Sequence, residues 1–295
     1  MFMSEKQYRR RLCDRSDGRL LKKLSPMHRI EPYIMVHRND STNLIFDKVE
    51  VTKLEEYIRL KRKQGYKGFG MLHVMMAAYV RVVSQRPAVN RFISGQKIYA
   101  RNNIEINIDI KKEMTIESPN TVVKIEFDAH DTAADVYDKM KEAIADNKGG
   151  ELDSDFDNTA RILNYIPGLI KKFSFWLIRV ADYFGILPKS LLKVSPFHGS
   201  MFVTSMGSLG IPAIHHHLYN LGNVPVFCCI GPKRTEYEMG PDGTVSKRKY
   251  VDYTFSVDER ICDGFYFASA MKILKANLRH PERLDAPPEQ VMSDI

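Results

Sequence analysis

Apolar and polar residues alternate over 44–51, the period-two pattern of a half-buried strand, and the spacing then changes to that of a helix. Thr52-Lys53-Leu54-Glu55 reads as a capping box opening this helix, and Gly65 marks its end. Over 71–85 the residues Leu72, Met75, Met76, Tyr79, Val80 and Val83 make most of a helix surface apolar, with Pro87 just beyond. Such a helix has no polar side to give to water and belongs in a core. His73 falls on it and is read as a core residue with a satisfied ring nitrogen. Residues 104–110 alternate strictly, 121–127 predict a further strand, and 131–145 a helix. The second half is richer in strands, at 200–205, 223–230 and 251–257, with Gly240-Pro241-Asp242-Gly243 as the turn before the last. A final helix spans 263–278.

Between the halves, 149–157 reads as an acidic hinge into a segment of different character. There Leu169, Ile170, Phe173, Phe175, Trp176, Leu177, Ile178 and Val180 are interspersed with Lys171, Lys172 and Arg179, so apolar residues cover more than one helix face. A helix of this kind packs as core or interface, lids a pocket for a greasy substrate, covers a subunit surface, or makes a peripheral membrane contact through 169–184. The longest apolar stretch, 173–187, is broken by Arg179 and Asp182, and the first residues carry no apolar run behind a charged end. Neither a membrane span nor a signal peptide is expected.

The 295 residues, 44% hydrophobic and 27% charged, suit one large folded domain or two small ones and exclude disordered, collagenous and coiled-coil readings. The net charge of +8 is uneven: the first 38 residues hold ten basic and four acidic side chains. This marks a basic N-terminal arm over 1–23, containing Arg9-Arg10-Arg11. No aromatic interleaving or nucleic-acid motif accompanies it, so nucleic acid is not the expected partner. Cys13, Cys228, Cys229 and Cys262 show neither CxxC nor zinc spacing and read as reduced, buried thiols of a cytoplasmic protein.

The stretch Val257-Asp258-Glu259-Arg260-Ile261-Cys262-Asp263-Gly264-Phe265 resembles the Asp-His-Arg-x-x-Asp-Gly signature of the dihydrolipoyl acyltransferase components of 2-oxo acid dehydrogenase complexes, which have the chloramphenicol acetyltransferase-like fold. Asp258, Arg260, Asp263 and Gly264 match, while Glu259 stands where those families place their catalytic His. Upstream, residues 199–211 resemble the family's Gly-Thr-Phe-Thr-Ile-Ser-Asn-Leu-Gly-Met-Phe-Gly-Ile, with Gly207, Gly210 and Ile211 in register. Pro26-Met27-His28-Arg29-Ile30 looks like the family's opening segment, and 49–52 like its first substrate-lining strand.

The resemblance implies an α/β two-layer sandwich, a mixed sheet with flanking helices, over 24–283. The apolar insertion lies at about 155–197 and a tail at 284–295. It also implies a free-standing catalytic domain, without a lipoyl domain, that forms a homotrimer with its tunnels at subunit interfaces. The implied reaction passes an acyl group from acyl-CoA, a co-substrate rather than a covalently bound cofactor, to a small-molecule acceptor. Thr204 takes the family's oxyanion-stabilising position, Glu259 the base position, and Asp263 the carboxylate that pairs with Arg29, while Gly264 permits the strand-to-helix turn. A carboxylate in water is a poor base for a thiol or hydroxyl, and only desolvation fits it for that task. His215, His216 and His217 supply alternative bases; if extended, only His215 and His217 share a face. Their spacing lacks the further ligands a metal would require. Two other functions compete: a non-catalytic binding or assembly module of the same fold that has lost the His, and a lipid-facing protein using the arm and the 169–184 helix.

Overall fold

The computed structural model describes residues 11, 13–111, 120–148 and 165–294, and in it the apolar helix expected over 71–85 lies at the centre. In chain order the first half comprises β1 (Gly18–Leu20), α1 (Pro26–Ile34), β2 (Thr42–Glu50), α2 (Thr52–Lys63), α3 (Met71–Gln85), β3 (Arg91–Ser94), β4 (Lys97–Arg101), β5 (Ile104–Lys111), β6 (Asn120–Phe127) and α4 (Ala133–Lys148). The second half comprises α5 (Gly168–Phe184), α6 (Lys189–Val194), β7 (Met201–Ser205), β8 (Val226–Met239), β9 (Val245–Asp258) and α7 (Gly264–Arg279).

Six strands form one mixed sheet in the order β2-β9-β8-β7-β5-β6, with β7 parallel to both β5 and β8. Alternation along these strands divides the sheet into two faces. Ile106, Val203, Cys228 and Phe255 face the helices and share one buried cluster with Val74, Met75 and Val80 of α3 and Leu274 of α7. On the reverse face Phe202 and Phe227 pack with Leu218 and Val224, which come from the irregular stretch after β7. A second sheet, β1-β4-β3, stands apart from the first. Its β3–β4 turn places Gly95 and Gln96 at φ of 54° and 55°, the left-handed pair that a two-residue hairpin turn requires.

Several expectations need correction. The capping box does not form: Val51 is the N-cap without a side-chain bond, Thr52 Oγ1 donates to Glu50, and Glu55 pairs instead with Lys233 at 2.6 Å. The basic arm is part of the folded body from residue 13 onward, because β1 pairs with β4 and Arg15 is buried against Asp17 and Asp182; residues 1–10 and 12 lie outside the described ones. The tail is strapped down: Met292 N–H donates to Ser84 O at 2.8 Å, and Asp294 pairs with Arg91 at 2.6 Å. Cys228, Cys229 and Cys262 are buried free thiols, but Cys13 is exposed, on a turn with φ of 77°. The hinge at 149–157 and the start of the insertion, 155–164, lie outside the described residues.

Candidate active site

Val257 ends the apolar run of β9, and the chain then makes a single 3-10 turn, Glu259–Ile261, before α7. Asp258, 0% exposed, sets this turn. Its carboxylate accepts from Arg260 Nε at 2.8 Å and Nη2 at 2.7 Å, a bidentate pair, and from Ser41 Oγ at 3.0 Å. Arg260, 2% exposed, also donates to the carbonyls of Met35 and Val36. Arg38 approaches Asp258 to 3.9 Å and spends its other nitrogens on the carbonyls of Tyr219, Ile93 and Gly222. Burial pushes the Arg38 guanidinium down to about 10, with Arg260 acting in the same direction and Asp258 opposing it. Two cations and one carboxylate thus fasten the residues before β2 and those before β8 to the end of β9.

Glu259 lies between two side chains that are both buried, and it is itself exposed. It borders a cleft of about 520 Å³ between β2 and α7, whose walls include Leu44, Ile45, Val257, Phe267 and Met271. Lys272 and Lys275 line the same cleft, Lys275 paired with Asp47 at 2.6 Å. Cys262 is there too, but burial pushes its thiol up to about 12, so it is not a ready thiolate. A larger cavity, about 920 Å³ and bordered by Arg15, Arg19, Arg101 and Lys189, touches neither Glu259 nor Thr204. We place the candidate chemistry in the smaller cleft because it holds the motif residue.

Thr204 sits near the end of β7, 8% exposed, on the reverse face of the sheet. It is level with Cys229 of β8, which is level with Thr254 of β9. Thr254 Oγ1 donates to Ile214 O at 2.5 Å, so the irregular segment carrying the histidines lies over this face. His216 stacks on Phe227 at 3.9 Å between ring centroids, and this burial lowers its pKa. The triplet lies in an irregular stretch, where the neighbouring His216 and His217 rings stack at 4.5 Å between centroids. His215 and His217 are exposed, and among the described residues no three His, Cys, Asp or Glu side chains are grouped to hold a metal.

Thr204 and Glu259 are not brought together within one chain. Thr204 is level with Thr254 two strands away and Glu259 follows Thr254 by five residues, which together give a separation of roughly 18–20 Å at ~3.4 Å per residue and ~4.8 Å per strand. Asp263 does not pair with Arg29 either. It is the N-cap of α7, accepting from Tyr266 N–H at 2.8 Å, whereas Arg29 donates to Lys22 O. The buried cation beside the motif is Arg38, which sequence reading passed over because Arg29 stood in a better-matching segment. Gly264 is the first residue of α7, and a Cβ there would meet open space, so this chain's own turn does not demand glycine.

No protein-family model and no curated protein matches this sequence. Solved structures do. A probable dihydrolipoamide acetyltransferase from Listeria monocytogenes is 17% identical with a TM-score of 0.54, over 88% of this chain and 95% of that one. The dihydrolipoamide acetyltransferase of Azotobacter vinelandii is 14% identical with a TM-score of 0.55, over 90% and 94%. A chloramphenicol acetyltransferase is 12% identical with a TM-score of 0.54, over 88% and 99%. The chain therefore has the chloramphenicol acetyltransferase-like fold, a mixed sheet with flanking helices. Its general architecture is one that acetyltransferases use.

Proposed function

We propose that this protein is an acyltransferase acting at the junction of two copies of the chain within a homotrimer, with acyl-CoA as donor and a small-molecule thiol, hydroxyl or amine as acceptor. The carrying observation is the separation of Thr204 from Glu259: neither completes a site alone, and the two lie at different ends and faces of one sheet. A rotational assembly brings the Thr204 end of one chain to the Glu259 cleft of its neighbour at every interface. In this reading the neighbouring chain closes over Glu259, which is exposed in the single chain, and the carboxylate so desolvated accepts the acceptor's proton as its S, O or N attacks the thioester carbonyl. Thr204 Oγ1 donates to the resulting oxyanion. Collapse breaks the C–S bond, and the departing CoA thiolate takes the proton back from Glu259. The cleft's apolar walls suit an acyl or alkyl chain, and Lys272 at its rim suits a phosphate of the donor.

One observation favours a second reading. No hydrogen bond to the Glu259 carboxylate is found among the described residues, so nothing in the single chain orients it as a base. The alternative is a non-catalytic module of the same fold that binds an acyl thioester. Incubation with a panel of acyl-CoAs, following free thiol with and without candidate acceptors, separates the two. Acceptor-dependent thiol release supports transfer, and binding without release in every combination supports the module.

A further inference from the structure

We propose that α5 docks the protein on an anionic lipid surface, lying flat with Leu169, Phe173, Trp176 and Leu177 among the acyl chains and Lys172 and Arg179 at the headgroups. This proposal goes beyond the acyltransferase reading and does not rest on it.

α5 has 17 residues, about 25 Å of helix, and none of them is buried. At ~100° per residue the four apolar side chains fall within one arc of about 100°, and Lys172 and Arg179 flank that arc on one side. They are the outward-facing residues: Leu169 is 84% exposed, Phe173 61%, Trp176 56% and Leu177 52%. The inward side is held at the C-terminal end, where Asp182 accepts from Arg15 at 2.7 Å and its carbonyl accepts from Ser94 Oγ at 2.8 Å. An ordinary surface helix turns its apolar stripe to the core; this one is fixed with the stripe turned away from it.

Charge selects the occupant. Residues 165–194 contain five Lys and Arg and one acid, Asp182, which is turned inward to Arg15. Neither Lys172 nor Arg179 has a carboxylate partner among the described residues. Cations beside an apolar stripe match an anionic bilayer surface, whose headgroups take the charge while its interior takes the rings. A second copy of this basic face would meet it with like charge. No helix among the described residues is long and apolar enough to cross a membrane, so the contact is one of lying on the surface.

Trp176 is the protein's single tryptophan, so tryptophan emission, excited apart from that of the tyrosines, reports on α5 alone. The full chain is mixed with phosphatidylcholine vesicles, or with vesicles in which about a third of the lipid is phosphatidylglycerol, and then floated. The expected result is a blue-shifted emission and flotation with the anionic vesicles only. Lys172→Glu and Arg179→Glu should each weaken binding about fivefold or more. Phe173→Glu should abolish it, with circular dichroism confirming the fold; if that variant fails to fold, the two charge reversals decide. The proposal is overturned if anionic vesicles give neither shift nor flotation, or if neutral vesicles bind equally well. It is also overturned if the shift grows with protein concentration in the absence of lipid, which would mark α5 as a contact between copies.

Discussion

Asp258 and Arg260 form a bidentate ion pair across the one residue that separates them, at 2.7 and 2.8 Å, and that intervening residue, Glu259, is the one turned to solvent. The pair therefore does more than close a turn. By consuming both neighbours in the interior it turns the intervening Glu259 side chain outward to the cleft between β2 and α7.

Removing the Asp258 carboxylate leaves two buried guanidiniums, Arg260 and Arg38, without their anion. Breaking a buried pair by losing one partner costs about 3–5 kcal/mol, so Asp258→Asn should lower the urea midpoint severely. A midpoint close to that of the parent protein contradicts the clamp.

Asp263 acts here as a helix cap. Asp263→Ala should cost about 1 kcal/mol, whereas Arg29→Ala on exposed α1 should fall within about 0.5 kcal/mol of the parent. In a double-mutant cycle the two should add. A coupling above that range would restore the ion pair expected from the sequence.

Acid should destabilise the fold through its histidines. Burial holds His73 down at about 4 and keeps His198, buried beside Asp182, below its ordinary value. Both lie beneath the ~6.5 of a free imidazole, so the unfolded chain binds more protons as the pH falls. Their contribution is full above about pH 6.5 and is lost progressively toward about pH 4. Denaturant midpoints should decline from about pH 7.5 to 5, and less steeply in His73→Gln, which keeps an acceptor for the Gly70 N–H. A midpoint that rises on acidification runs against this.

Glu259→Gln should leave stability unchanged, since the side chain is exposed, and lower turnover about 10²–10⁴-fold with little effect on thioester binding. Single His→Asn changes at 215, 216 and 217 should keep the rate. If one of these three abolishes turnover while Glu259→Gln does not, the base is the histidine.

What could be read from the sequence follows what periodicity reports. Strands with one buried face, β5 and β6, and the all-apolar α3 were legible because burial imprints its period on the chain. The outer half of the β8–β9 hairpin was not, since no residue of Lys233–Met239 or Val245–Lys249 is buried and the pairing is held by cross-strand ion pairs such as Arg248–Glu238 at 3.1 Å. The β3–β4 hairpin was missed because Gly95-Gln96 is not one of the strong turn dipeptides. At the site, Asp258, Glu259 and Arg260 were visible as a motif, but the burial of the first and last was not. Arg38 escaped notice because its partners are backbone carbonyls from distant parts of the chain, which leave no trace in local spacing.

The most direct test of a site shared between chains is complementation. Glu259→Gln and Thr204→Val are purified separately, each expected to be inactive with acyl-CoA and acceptor, then unfolded together in equal amounts and refolded. If Thr204 of one chain works with Glu259 of its neighbour, random trimers place both intact groups at about one quarter of the interfaces, and activity should return to roughly that fraction of the parent's. A mixture that assembles yet stays as inactive as either variant alone contradicts the account.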